Sequence, residues 1–189
     1  MKKLIILDRD GVINYDSMEY IKNPDEWHAI PGSLEAIADL NRAGFHVVVA
    51  TNQSGIARRY YDVAMLDSIH EKMQHELAAV GGYIDAIFFC PHLPTDHCDC
   101  RKPKPGMLHQ IQKKYQVDLT HIFFIGDKLS DVQAARAAGC KPLLLLTELN
   151  QMDLGNNPEL AGIPWFSNLA AAVRYVTVFQ INHLVKNTR

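Results

Sequence analysis

Short apolar runs alternate with amphipathic segments along residues 3–147 of the chain. Five of these runs have the length and composition of buried parallel strands: residues 3–7, 46–50, 86–89, 121–125 and 143–146. The segments between them show helical spacing or end in glycine, and we predict helices over residues 33–43, 63–80, 107–115 and 129–138. This alternation predicts βαβ units and an α/β fold with a central parallel sheet.

The remaining segments carry weaker patterns. Ser33 stands where a helix N-cap is favoured, because a hydroxyl can accept a backbone N–H there. Residues 16–32 and 149–164 have the composition of loops. Residues 169–176 predict a final helix, although residues 175–179 also fit a strand.

The composition indicates a globular protein. The chain has 189 residues, of which 48% are hydrophobic, and we find no repeat or linker in it. We therefore predict a single domain over residues 1–189, without a large cap domain.

The net charge of −2 gives no electrostatic footprint for nucleic acid or for an anionic membrane. No apolar run is long enough to span a bilayer, and the one at residues 4–7 is too short for a secretory signal. We expect a cytoplasmic monomer that has neither a nucleic-acid nor a membrane partner.

Polar side chains with chemical potential follow the ends of the predicted strands. Asp8 and Asp10 come directly after the first strand, Thr51 follows the second and Asp127 follows the fourth. Sites in open parallel sheets form beyond the carboxyl ends of the strands, and oxygen ligands suit Mg²⁺. We predict a Mg²⁺ site with Asp8, Asp10 and Asp127, to which the backbone carbonyl of Arg9 or Asp10 can add. A D-x-D pair on its own is equally typical of a solvated turn.

Residues 90–100, which we name the cysteine loop, follow the third strand and spell C-x-H-x5-C-x-C. Thiolates and imidazole at this density suit a closed, tetrahedral and therefore structural Zn²⁺ site. The four predicted ligands are Cys90, His92, Cys98 and Cys100. His97 is a competing ligand, and reduced thiols without a metal are the alternative interpretation. The loop leads directly into Arg101 and Lys102, and a lysine there could balance the charge of a phosphoryl group.

Four motifs of the chain resemble those of the haloacid dehalogenase (HAD) superfamily of phosphatases and occur in the same order. They are D-R-D-G-V-I-N from Asp8, T-N-Q-S-G from Thr51, R-K-P-K-P-G-M from Arg101 and G-D-K-L-S-D from Gly126. The resemblance covers residues 3–147 and implies a three-layer, Rossmann-like α/β fold. It also implies that Asp8 attacks phosphorus while Asp10 acts as general acid and base. Thr51, Lys102 and Mg²⁺ would then balance the charge of the transferring group.

Within that superfamily, T-N-Q-S-G-I-A-R and G-D-K-L-S-D are similar to the heptose bisphosphate phosphatases of lipopolysaccharide or S-layer heptose biosynthesis. The implied substrate is a phosphorylated sugar. Residues in matching positions that are expected to contact it are Asp16, Glu19, Asn52, Gln53, Ser54, Arg59, Arg101 and Lys128.

Two other interpretations stay open from the sequence. The five-residue gap inside the cysteine loop resembles the histidinol-phosphate phosphatases, a related group of the same superfamily. A zinc-binding interaction module without catalysis would explain the cysteine loop, but not the acidic residues at the strand ends. Asp131 is either a further metal ligand or a helix cap, since a carboxylate is also favoured at a helix N-terminus.

Overall fold

A computed structural model of the protein describes residues 2–147, 150 and 157–187, with residues 180–187 described by their backbone alone. Within this part of the chain, six strands form one parallel sheet: β1 Leu4–Leu7, β2 His46–Asn52, β3 Ala86–Cys90, β4 Phe123–Gly126, β5 Lys141–Leu145 and β6 Trp165–Phe166. Five α-helices accompany them: α1 Ser33–Arg42, α2 Val63–Ala79, α3 Gly106–Tyr115, α4 Leu129–Ala138 and α5 Leu169–Asn187. Short 3-10 turns cover Pro24–Glu26, Pro94–Asp96, Leu119–His121 and Pro158–Leu160.

The sheet has the strand order β3-β2-β1-β4-β5-β6. β1 lies at its centre, where Leu7 pairs with Val49 of β2 and with Ile125 of β4. The chain therefore leaves β1, β2 and β4 at the same edge of the sheet and close together. This is the edge at which parallel α/β folds bind their ligands.

Helices cover both faces of the sheet, as alternating side chains on the central strands require. On one face, residues such as Ile5, Val47 and Ile125 pack in a cluster with α1, α2 and α5. On the other face, Ile6 and Val48 pack in a second cluster with α3 and α4. Strands that are buried on both faces read as continuous apolar runs, and the predicted three-layer α/β fold is confirmed.

The predicted helix α4 has the same bounds in the structure, and α2 and α3 agree within one residue. The prediction that Ser33 caps α1 is wrong, because Gly32 occupies the N-cap with a positive φ of 82°. The Ser33 hydroxyl instead donates to the carbonyl of Val12 at 2.9 Å. That long-range bond ties α1 to the segment after β1, which local sequence spacing could not reveal.

β4 begins at Phe123 rather than at residue 121, since the preceding residues form a 3-10 turn that Asp118 caps. The predicted final helix is confirmed as α5, which includes residues 175–179 and packs Val173 and Val176 into the core. β6 was not predicted: it is a two-residue edge strand, too short to produce a pattern. In the predicted loop over residues 149–164, residues 149 and 151–156 lie outside the described residues. No helix in the described part of the chain is both long and apolar enough to cross a bilayer.

Candidate active site

Asp8 is the first residue after β1, and the sheet fixes its position. Its backbone N–H donates to the carbonyl of Ile125 at 2.9 Å, which continues the β1–β4 pairing by one residue. Its side chain is buried, with Oδ1 accepting the Arg9 N–H at 2.7 Å and Oδ2 lying 2.9 Å from Nζ of Lys102. Burial raises the pKa of Asp8 to about 6, although the Lys102 charge opposes the shift.

Asp127 and Asp131 join Asp8 in a buried cluster of three carboxylates, whose candidate ligand atoms lie within 4.8 Å of one another. Oδ1 of Asp127 is buried, and the described residues offer it no hydrogen-bond partner. Burial, together with the charges of Asp131 and Asp8, raises the pKa of Asp127 well above its ordinary value. A buried acceptor that nothing satisfies, among other carboxylates, is costly for a protein alone and fits a divalent cation.

Gly11 allows the close approach that builds this cluster. Its φ is +81°, and a Cβ there would lie within 3.0 Å of Oδ2 and Cγ of Asp127. A side chain at position 11 would therefore push Asp127 away as well as strain the backbone.

Lys102 supplies the positive charge of the site. Its Nζ lies 2.9 Å from Asp8 Oδ2 and 2.6 Å from Asp131 Oδ1, and it donates to the Ala50 carbonyl at 2.9 Å. Burial alone would lower its pKa, but Asp131 and Asp8 outweigh burial and raise it, so the side chain stays an ammonium ion. The Asn52 side chain accepts from Lys102 N and donates to Lys102 O, both at 3.1 Å, and so fixes the lysine backbone against the end of β2.

Asp10 is not a member of the three-carboxylate cluster, and its carboxylate is held in a network of hydrogen-bond donors. Oδ1 accepts from Arg9 Nε and Asn14 Nδ2, both at 2.9 Å. Oδ2 accepts from Arg9 Nη2 at 3.1 Å and from Gln53 Nε2 at 2.8 Å. Burial would raise the pKa of Asp10, but the Arg9 charge and the Asn14 hydrogen bond lower it below its usual value. Gln53 Nε2 also donates to Thr51 Oγ1 at 2.9 Å and so links both strand ends.

Asp131 caps helix α4 and also lies in the carboxylate cluster. Its Oδ2 accepts the backbone N–H of Lys128 at 3.0 Å, which caps the start of α4. Its Oδ1 belongs to the ion pair with Lys102, and the residue is also part of the three-carboxylate cluster. Capping therefore does not remove Asp131 from the site.

The predicted substrate-contact residues lie at different depths. Gln53 and Ser54 are buried, whereas Arg59 and Glu19 are exposed and lie outside the carboxylate cluster. Lys128 Nζ pairs with Asp16 Oδ2 at 2.9 Å, which joins the loop after β1 to the loop after β4. Burial opposes the charge of Lys128, but Asp127, Asp8 and Asp16 raise its pKa, so it stays charged. Arg101 Nη1 donates to the His92 carbonyl at 3.2 Å and so contacts the cysteine loop.

The cysteine loop brings its four predicted ligands together. Cys90, His92, Cys98 and Cys100 form the second candidate metal group in the described part of the chain. Their Sγ–Sγ distances are 3.2 to 3.6 Å, and His92 Nδ1 lies 3.5 Å from Cys90 Sγ and 3.3 Å from Cys100 Sγ. Ligand atoms about 2.0–2.3 Å from a tetrahedral Zn²⁺ are separated by similar distances, so these residues fit a zinc ion.

Several residues around the site carried no predicted role. The side chains of Arg9 and Asn14 contact Asp10, while Tyr61 donates to Gln53 Oε1 at 2.7 Å. His70 contacts Arg9 from α2, and Asn150 Nδ2 donates to the Asp127 carbonyl at 2.9 Å. Arg9 and Asn14 stand inside the first motif, and the Asn14 spacing from Asp10 was a usable signal. Only the fold brings the other three near the site, and no sequence pattern marked them.

Comparison with known proteins bears directly on this arrangement. A family described as haloacid dehalogenase-like hydrolase matches residues 4–139. The chain belongs to this family. The match spans all four motifs, so the superfamily resemblance seen in the sequence is confirmed.

Several similar proteins are named as heptose bisphosphate phosphatases. The D-glycero-beta-D-manno-heptose-1,7-bisphosphate 7-phosphatase of Pseudomonas aeruginosa is 54% identical over 90% of this chain and 95% of its own. The enzyme of the same name from Bordetella bronchiseptica is 58% identical over 83% of this chain and 89% of its own. The crystal structure of the B. bronchiseptica D,D-heptose 1,7-bisphosphate phosphatase, complexed with magnesium and phosphate, has a TM-score of 0.88 and covers 92% of this chain and 97% of that one.

These similarities decide between the interpretations that the sequence left open. The family match and the names of these relatives show that the chain is a phosphatase. Neither the histidinol-phosphate interpretation nor the non-catalytic zinc module is favoured. The magnesium in the structurally similar enzyme agrees with the cation that the buried carboxylate cluster fits.

Proposed function

We propose that the protein is a Mg²⁺-dependent phosphatase that removes the 7-phosphate of D-glycero-β-D-manno-heptose 1,7-bisphosphate. The observation that carries the proposal is the buried group of Asp8, Asp127, Asp131 and Lys102 beyond the adjacent ends of β1 and β4. The names of relatives that cover nearly the whole chain support the substrate and its β anomer.

Asp8 and Asp127 are the proposed carboxylate ligands of Mg²⁺, with Asp131 beside them. The Arg9 carbonyl already accepts the N–H groups of Ile13 and Asn14 at 2.8 and 3.2 Å, so we assign the backbone ligand to the Asp10 carbonyl. The Asp10 carboxylate is engaged elsewhere and is not proposed as a ligand. The bound ion would neutralise negative charge on the phosphoryl group.

In the first half-reaction, an oxygen of Asp8 attacks phosphorus and the bond from phosphorus to the sugar oxygen breaks. Asp10 gives its proton to that oxygen, and an aspartyl-phosphate remains. The negative charge of an arriving phosphate would raise the pKa of Asp10 and so oppose the lowering by Arg9. Lys102 and the Thr51 hydroxyl contact the phosphoryl oxygens and stabilise their charge.

In the second half-reaction, water attacks phosphorus and gives a proton to Asp10, and the bond to Asp8 breaks. Inorganic phosphate leaves, and both aspartates return to their starting states. The four donors around Asp10 favour its carboxylate form, which is the form that accepts this proton.

The remaining assignments follow from position. We propose that Lys128, Asp16 and Arg101 contact the sugar or its second phosphate, with Asn52, Gln53 and Ser54 at the phosphoryl group and Arg59 and Glu19 at the outer rim. The support is weakest for the last two, since both side chains are exposed.

We propose that Zn²⁺ in the cysteine loop is structural. Its four ligands leave no position for substrate, and the loop continues directly into Arg101 and Lys102. A metal there would hold Lys102 in its position beside Asp8. None of the four cysteines is in a disulfide, which favours a reducing compartment, so we also propose a cytoplasmic protein, acting as a monomeric single domain.

The test is phosphate release by the purified protein with Mg²⁺ and the heptose bisphosphate, beside an Asp8→Asn variant. The variant keeps the size of the side chain and removes the nucleophile. We expect turnover by the wild type and none by the variant, with equal circular dichroism spectra. Turnover by Asp8→Asn would contradict the assigned nucleophile.

A further inference from the structure

The guanidinium of Arg9 lies behind Asp10 and is buried against helix α2. Arg9 is 1% exposed, and Nε and Nη2 grip the two oxygens of Asp10 at 2.9 and 3.1 Å. Its remaining terminal nitrogen, Nη1, lies 3.2 Å from Nε2 of His70. The orientation of the guanidinium therefore depends on His70, which contacts its other terminal nitrogen.

His70 is a neutral acceptor in this contact. Arginine only donates hydrogen bonds, so Nε2 of His70 must offer a lone pair and the ring proton is on Nδ1. Burial and the adjacent Arg9 charge lower the pKa of His70 to about 3, which agrees with that state. His70 is buried on α2 and is 61 residues from Arg9 along the chain. The reaction as described above gives it no role.

We propose that His70 is a positioning residue, which accepts from Arg9 and thereby aims the carboxylate of Asp10 at the sugar oxygen. The proposal rests on the proposed phosphatase function, in which Asp10 transfers the proton. His70 itself touches neither the substrate nor a metal ligand.

The arrangement around Asp10 explains why this contact matters. Asn14 and Gln53 each hold one oxygen of Asp10, whereas Arg9 alone holds both. Without the acceptor on His70, Nη1 would be a buried donor with no partner, and the guanidinium would turn to find one. Nε and Nη2 would turn with it, and the Asp10 carboxylate would lose its orientation towards the sugar oxygen. Since Asn14 and Gln53 remain, the loss of proton transfer would be partial.

The deciding experiment compares two substrates that differ in their need for a proton donor. The sugar oxygen of the heptose bisphosphate leaves as an alcohol and requires one, whereas p-nitrophenolate leaves without one. The value of kcat/KM covers the steps up to departure of the leaving group, so it excludes the later hydrolysis. His70→Leu is expected to lower kcat/KM about 10-fold or more for the heptose bisphosphate, and less than about 3-fold for p-nitrophenyl phosphate.

Two further variants separate positioning from simple loss of structure. His70→Gln keeps an acceptor near the place of Nε2 and should restore kcat/KM to within about 3-fold of wild type. Met73→Leu, one turn along α2 in the same core, should leave kcat/KM unchanged for both substrates. If His70→Leu does not fold, His70→Phe makes the same test, because it keeps a planar ring and removes the acceptor.

Equal losses on both substrates, wild-type behaviour of His70→Leu, or failure of His70→Gln to rescue would each overturn the proposal. Turnover by the wild-type enzyme tests the proposed function separately from the proposed role of His70. If it hydrolyses another alkyl phosphate but not the heptose bisphosphate, the proposed substrate is refuted. The His70 comparison is then made with that alkyl phosphate.

Discussion

Replacement of Gly11 by alanine should impair the metal site while the protein stays folded. Gly11 has a φ of +81°, and a Cβ there would come within 3.0 Å of Oδ2 and Cγ of Asp127. To restore an ordinary van der Waals distance, the carboxylate must retreat by about 1 Å. Gly44 is a matched control, because it has the same φ of +81° and nothing within 4 Å of its own Cβ position.

The two substitutions share backbone strain and differ in the contact with Asp127. Strain from a left-handed alanine should cost each variant about 1 kcal/mol of unfolding free energy, measured by urea denaturation. Displacement of a catalytic group by about 1 Å costs about 100-fold in rate, or about 2.7 kcal/mol in activation free energy. Gly11→Ala should therefore lose about 100-fold in kcat/KM and bind Mg²⁺ more weakly by calorimetry. Gly44→Ala should keep both.

The refuting result is a Gly11→Ala protein that binds Mg²⁺ and turns over like Gly44→Ala. It would mean that Asp127 does not need the position seen here. Equal loss of Mg²⁺ binding in both variants would instead assign the effect to the backbone, and would also contradict the reasoning.

Lys102→Met leaves buried carboxylates without their cation, so we expect unfolding free energy to fall by about 3 kcal/mol and activity to vanish, whereas the exposed Lys104→Met should match wild type. Unchanged denaturation of Lys102→Met would contradict this. Cys98→Ser should abolish stoichiometric zinc in a metal assay and lower the melting temperature, while Cys140→Ser, outside the cysteine loop, should keep its zinc; equal zinc content would exclude the assigned ligand. The pKa of His70 is about 3 in the folded protein, below its ordinary value of 6.5, so the unfolded chain binds the extra proton and stability falls as pH drops below 6.5. Between pH 7 and 5, wild type should lose up to about 2 kcal/mol more unfolding free energy than His70→Gln, and parallel curves would refute the neutral buried state.

The central layer of the fold was predictable from sequence because β1, β2 and β4 are buried on both faces. Continuous apolar runs such as Val47–Ala50 follow from that burial. β6 was not predictable, since two residues at a sheet edge produce no period. The Ser33 prediction failed for a related reason. A distant acceptor, the Val12 carbonyl, competes for its hydroxyl, and local spacing contains no record of such a contact.

The candidate site divides in the same way. Asp8 and Asp127 directly follow β1 and β4, and Thr51 lies one position before the end of the neighbouring β2, so topology and sequence together predict that they lie close together. The orientation of Asp10 was not predictable, because it depends on Arg9 and on His70 from a separate helix. Sequence motifs identify the candidate residues for phosphate and metal binding, whereas packing in the fold determines the residues that orient them.

The most direct test of the proposed function is to follow D-glycero-β-D-manno-heptose 1,7-bisphosphate with the protein and Mg²⁺ by ³¹P NMR, beside the α anomer and histidinol phosphate at equal concentration. We expect loss of the 7-phosphate signal, appearance of inorganic phosphate and persistence of the 1-phosphate signal, with the fastest reaction for the β anomer. Loss of the 1-phosphate, or faster turnover of histidinol phosphate, would contradict the proposed function.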